Sequence, residues 1–110
     1  MTDASDPLFR IVQDADECVI ALEPVVAQNA GQAARLRSEL KSLMDKGGYR
    51  QLTVDCDAMD YLPGSVLGIL AGFYGKGPEI RLVNASEEIM SLMQTSRLDQ
   101  KLRVSPRAAR

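Results

Sequence analysis

The stretch Leu52-Thr53-Val54-Asp55-Cys56, followed after a short acidic loop by Asp60-Tyr61-Leu62-Pro63-Gly64-Ser65-Val66-Leu67-Gly68-Ile69-Leu70, decides the fold. The first run is short, apolar and β-branched, as a buried strand requires. Pro63-Gly64 makes a turn, and an apolar helical pattern then continues to Phe73 and Tyr74. Gly64 or Ser65 opens this helix, and Gly75-Lys76-Gly77 closes it. Ser65 therefore lies where unpaired backbone N–H groups and the positive end of the helix dipole attract an anion. Two roles suit a serine there. It can carry or bind a phosphate, or it can cap the helix through a hydroxyl bond to a nearby N–H.

Upstream, residues 8–13 and 18–23 read as strands, and the polar link Asp14-Ala15-Asp16-Glu17 suits a hairpin. Pro24 ends the second strand, and Asn29 is a good N-cap. Ala33, Leu36, Leu40, Leu43 and Met44 then repeat at helical spacing up to a Lys46-Gly47-Gly48 stop. Downstream, residues 79–83 give a fourth strand. Ser86 caps a third helix with Glu87 and Glu88 in its first turn and Ile89, Leu92 and Met93 on its buried side. Residues 102–104 suit a short edge strand.

The order predicts an α/β fold: a mixed sheet of four to five strands, parallel at its centre, with an antiparallel N-terminal edge strand and three to four helices. One domain over residues 8–104 is expected, between a flexible start (1–7) and a loose basic tail (105–110). In such sheets, sites form beyond the carboxyl ends of the parallel strands. The loop leading to Ser65 is at that edge.

The composition of the 110-residue chain narrows the chemistry. It is 45% hydrophobic and 25% charged with net charge −2, so nothing global draws it to nucleic acid or an anionic membrane. No apolar run approaches the roughly 20 residues of a membrane span, and the acidic start is unlike a secretory signal. A cytoplasmic protein is expected. Histidine is absent, which removes Ser-His-Asp and Cys-His catalysis and histidine metal sites together. Cys18 and Cys56 lie inside strand patterns without C-x-x-C spacing, as small core residues do. No cofactor or metal is expected.

Asp55, Asp57 and Asp60 form an acidic cluster after the third strand. A magnesium-dependent phosphotransfer or receiver-like protein would use Asp55 or Asp57 in that position, and Asp55-Cys56-Asp57 resembles the D-x-D of aspartate-nucleophile phosphotransferases. Met59 stands where that motif carries Thr or Val, and the chain is short for the class. Gly75-Lys76-Gly77 lacks Walker spacing and sits at a helix end, where the dipole is negative.

With strand, loop and helix in place, the chain resembles the STAS family, and within it the bacterial anti-sigma factor antagonists. Their signature is a strand ending in an apolar-Asp pattern, a short loop, and roughly F-[IM]-D-S-S-G-L-G before an aliphatic helix. Leu52-Thr53-Val54-Asp55 matches the strand and Tyr61-Leu62 the aromatic-aliphatic pair. Pro63-Gly64-Ser65-Val66-Leu67-Gly68 takes the place of D-S-S-G-L-G. Residues 80–86 are similar to the fourth strand and third-helix start, and residues 95–99 to the closing segment. The resemblance implies a protein-binding module rather than an enzyme. Its partner would be a serine kinase that doubles as an anti-sigma factor, with a phosphatase to reset the switch. Ser65 corresponds to the phosphorylated serine, and Tyr61, Leu62, Pro63, Gly64, Ser65 and Val66 to the contact surface. STAS domains that dock constitutively in larger complexes are the other role the resemblance allows.

Overall fold

In a strand, every second side chain shares a face. Cys18, Leu52 and Ile80 form one row across three strands, and Ile20, Val54 and Leu82 form the next. In the computed structural model, which describes residues 7–27, 31–75 and 78–107, both rows are buried. They lie in a sheet of five strands, β1 (Phe9–Asp14), β2 (Glu17–Leu22), β3 (Gln51–Asp55), β4 (Glu79–Ala85) and β5 (Arg103–Pro106), in that spatial order. β1 runs antiparallel to β2, and the remaining neighbours are parallel.

Parallel neighbours require crossovers, supplied here by α1 (Gly31–Gly47), α2 (Gly64–Gly72) and α3 (Glu87–Thr95). Leu36 and Leu40 of α1, Val66, Leu67 and Leu70 of α2, and Ile89 and Met93 of α3 complete the core with the strand rows. The intervening row, Val19-Thr53-Arg81, is mixed in polarity, and Gln51 donates a hydrogen bond to Thr53 on that face. The expected parallel centre and antiparallel edge are both present.

Boundaries differ where tertiary contacts act. The hairpin strands reach Asp14 and Glu17, which shortens the link between them. Residues after Pro24 form a 3-10 turn, Pro24–Ala27, while Asn29 lies outside the described residues. α1 stops as expected: Gly48 adopts φ 60, a left-handed conformation that costs glycine nothing, and its N–H reaches the Met44 carbonyl. α2 ends earlier than its apolar pattern suggests. Phe73 and Tyr74 donate back to the carbonyls of Leu70 and Ala71, a tightened last turn. Lys76 and Gly77 lie outside the described residues. Among the described residues no helix is long and apolar enough to cross a membrane.

Cys18 and Cys56 are buried free thiols, as their strand setting suggested. Burial pushes the Cys56 thiol up from 9.0 to about 12; Asp55 adds to the rise and Arg107 opposes it. Burial raises Cys18 as well. The folded chain thus holds these protons more tightly than the unfolded chain does. Their contribution is complete below the ordinary thiol range and is lost as pH rises through about 9 toward 12. The urea midpoint is expected to be lower at about pH 10.5 than at about pH 8, with a smaller drop in Cys56→Ala.

Gly68 sits in the middle of α2, exposed, and a Cβ added there would meet nothing within 4 Å. Gly68→Ala is expected to stabilise the fold by about 0.5–1 kcal/mol, read from urea denaturation, because helical glycine costs chain entropy.

Candidate functional site

β3 ends on Asp55, whose carboxylate organises the turn after it. Its Oδ1 accepts the Asp57 N–H at 2.9 Å, an Asx turn, and the Asn84 side-chain amide at 3.0 Å. Asn84 holds φ 58, which asparagine tolerates better than most residues, and it interrupts the β4–β5 register. Asp55 therefore ties the ends of two neighbouring strands together.

The loop from Cys56 to Pro63 is then fastened from outside. Cys56 donates to the Val83 carbonyl, and Met59 closes a turn onto the Cys56 carbonyl. The Ser86 hydroxyl performs two tasks. It accepts the Ile89 N–H at 3.2 Å as the expected cap of α3, and it donates to the Asp60 carbonyl at 2.6 Å. The third fastening is Arg107, just past β5. One guanidinium nitrogen donates to the carbonyls of Cys56 (3.3 Å), Asp57 (3.1 Å) and Met59 (3.0 Å). The other terminal nitrogen reaches the Asp60 carboxylate at 3.3 Å, and Nε lies 3.5 Å from Asp57.

Of residues 105–110, expected as a loose tail, 105–107 are described and 108–110 lie outside the described residues. Ser105 and Pro106 belong to β5, Arg107 donates its backbone N–H to the Ala85 carbonyl, and its side chain is bound in the loop. Local sequence carries no signal for this contact, because the partners are about fifty positions apart. Asp57 and Asp60 face that guanidinium. Among the described residues, no group of three or more Cys, Asp and Glu side chains is placed to hold a metal ion.

Pro63 takes the N-cap position of α2 with φ −59 and ψ 146, so Ser65 is the second helical residue and not its cap. The Pro63 carbonyl accepts the N–H groups of Val66 and Leu67, at 3.0 and 3.2 Å. The Ser65 side chain is exposed and, among the described residues, its hydroxyl has no hydrogen-bond partner. Of the six residues expected to form the contact surface, Leu62 and Val66 are fully buried and anchor the loop and first turn to the core. Tyr61, Gly64 and Ser65 are exposed and Pro63 is half-buried, so these present a surface. Tyr61 is 56% exposed, which leaves most of its ring available for contact.

Beside Ser65 an open groove of about 540 Å³ runs between α1 and α2. Arg37, Lys41 and Met44 line it from α1, and Ser65, Gly68 and Gly72 from α2. Lys41 is paired with Asp45, whereas Arg37 has no ion-pair partner among the described residues. The site thus combines an aromatic rim, an unpartnered hydroxyl at a helix start, and cationic side chains on the adjacent helix.

Comparison with known proteins agrees with the fold. The STAS domain pattern matches residues 12–109. The NMR structure of protein TM1081 superimposes with a TM-score of 0.72 at 16% identity, covering 96% of this chain and 86% of that one. A crystal structure described as a "putative anti-sigma factor antagonist", TM1081 from Thermotoga maritima, gives a TM-score of 0.65 at 18% identity, covering 87% and 82%. No curated protein sequence matches. At these identities the structural likeness speaks for the fold alone, and the matched domain pattern covers most of the chain. The chain belongs to the STAS family.

Proposed function

We propose that this protein is a cytoplasmic, bacterial regulatory binding module of the anti-sigma factor antagonist type. It engages a serine kinase that also serves as an anti-sigma factor, and phosphorylation of Ser65 switches the contact. It acts by binding and is not itself an enzyme. The observation that carries the reading is the exposed, unpartnered Ser65 hydroxyl in the first turn of α2, beside exposed Tyr61. A kinase can reach that hydroxyl without unfolding the domain.

The physical effect of a phosphate there is one-sided. It adds nearly two negative charges. Within this chain the start of α2 and the nearby Arg37 favour that charge. A partner seated on Tyr61, Pro63 and Gly64 would have to desolvate it or face it with like charge. Binding would therefore fall without any refolding of the domain, and a phosphatase would restore it.

A second reading is constitutive docking in a larger complex. It is favoured by Pro63, Gly64 and Val66 standing where the phosphorylated relatives' signature carries Asp, Ser and Gly.

Mixing the protein with its candidate kinase and ATP, then measuring intact mass and mapping the site, tests the first reading directly. A single phosphate on Ser65 is the expected product. Ser65→Asp should weaken kinase binding by about tenfold or more in calorimetry, while Ser65→Ala binds as the wild type does. Equal binding by all three proteins would remove the switch and leave the docking reading.

A further inference from the structure

We propose that Arg107 is a latch: its guanidinium holds the β3–α2 loop closed, and so sets the position of Tyr61 and of the chain entering α2. The loop turns the carbonyls of Cys56, Asp57 and Met59 and the carboxylates of Asp57 and Asp60 toward one side chain. Oxygens that converge in this way repel one another unless a donor of positive charge lies among them. Arg107 is that donor. Its forked geometry can serve three carbonyls and a carboxylate at once, which the single point charge of a lysine cannot do as well.

The latch is also well anchored. The Arg107 N–H is fixed to the Ala85 carbonyl at 2.9 Å, and Pro106 pairs with Ala85 in the β4–β5 ladder. The guanidinium is thus carried on the residue just past the edge strand, whose backbone is tied to β4. Of the loop's outside ties, the one from Asn84 acts through Asp55 at the strand end, and the one from Ser86 acts at Asp60. Arg107 bonds the carbonyls between them. Asp60 is held twice, through its carbonyl by Ser86 and through its carboxylate by Arg107, and Tyr61 is the next residue. The latch as such is independent of the binding role proposed above; its effect on partner recognition rests on that reading.

Amide hydrogen exchange on the full chain tests it. In Arg107→Ala, the hydrogen-bonded amides of Asp57 and Met59 should exchange at least about tenfold faster, with the β3 amides of residues 52–54 unchanged. Arg107→Lys should fall between the two, since it returns the charge without the fork. Labelling of Cys56 by a thiol reagent, in a Cys18→Ala background, gives a second readout with opposite signs for two causes. Arg107 lowers the Cys56 pKa, so loss of its charge alone would slow labelling, whereas an opened loop would speed it. Faster labelling with faster exchange at Asp57 and Met59 supports the latch. Unchanged exchange at those two amides overturns it, as does an equal acceleration at residues 52–54, which would mark general destabilisation. Kinase binding by the wild type with an intact latch, but equally by Arg107→Ala, would detach the latch from recognition while leaving the binding reading standing.

Discussion

The structure depends on one packing contact, the two apolar rows of the parallel strands pressed beneath α1, α2 and α3. Ile20, Val54 and Leu82 meet side by side in register and are buried together with Leu40, Leu70 and Ile89. Each fully buried aliphatic side chain contributes about 1.5–3 kcal/mol, so this layer outweighs any single polar contact at the surface. It also fixes the direction of the chain. Parallel strands can be joined only through crossovers, and every strand-to-helix loop then falls at the same edge.

That edge creates a second requirement. The loop between β3 and α2 leaves many backbone groups outside the ladder, and they need partners of their own. The chain supplies them from separate places: the Val83 carbonyl in β4, the Asp55 carboxylate that Asn84 holds, Ser86 at the start of α3, and Arg107 after β5. Leu62 and Val66 sink into the core on either side of the turn. Tyr61 and Ser65, between or beside these anchors, are left facing outward. Tying a loop at so many points, and using its apolar residues for anchoring, leaves the side chains of Tyr61 and Ser65 at the surface.

The aspartates show how a motif reads differently alone and in place. In the sequence, Asp55, Asp57 and Asp60 cluster after a strand, an arrangement a magnesium-dependent phosphotransfer protein would use, although no metal is expected. In the fold, Asp55 serves as a turn and cross-strand acceptor, while Asp57 and Asp60 face the Arg107 guanidinium. Ser86 was legible as a cap, from the two glutamates and the apolar spacing behind it. Its bond to Asp60 was not, since nothing local encodes a contact twenty-six residues away.

The sequence by itself determined the order of elements, the parallel centre, the antiparallel edge and the burial of both cysteines. Those features arise from periodicity and from turn residues, which act over a few positions. It also singled out Ser65, because a hydroxyl just after Pro-Gly at a helix start is a local arrangement. Only the tertiary structure decided that Pro63 and not Ser65 takes the cap position, that Leu62 and Val66 are anchors, and that α2 ends at Gly72. It alone brought Arg107 into the loop. A guanidinium finds its acceptors by where the strands carry it, and that depends on the register of β4 with β5, which no short stretch of sequence encodes.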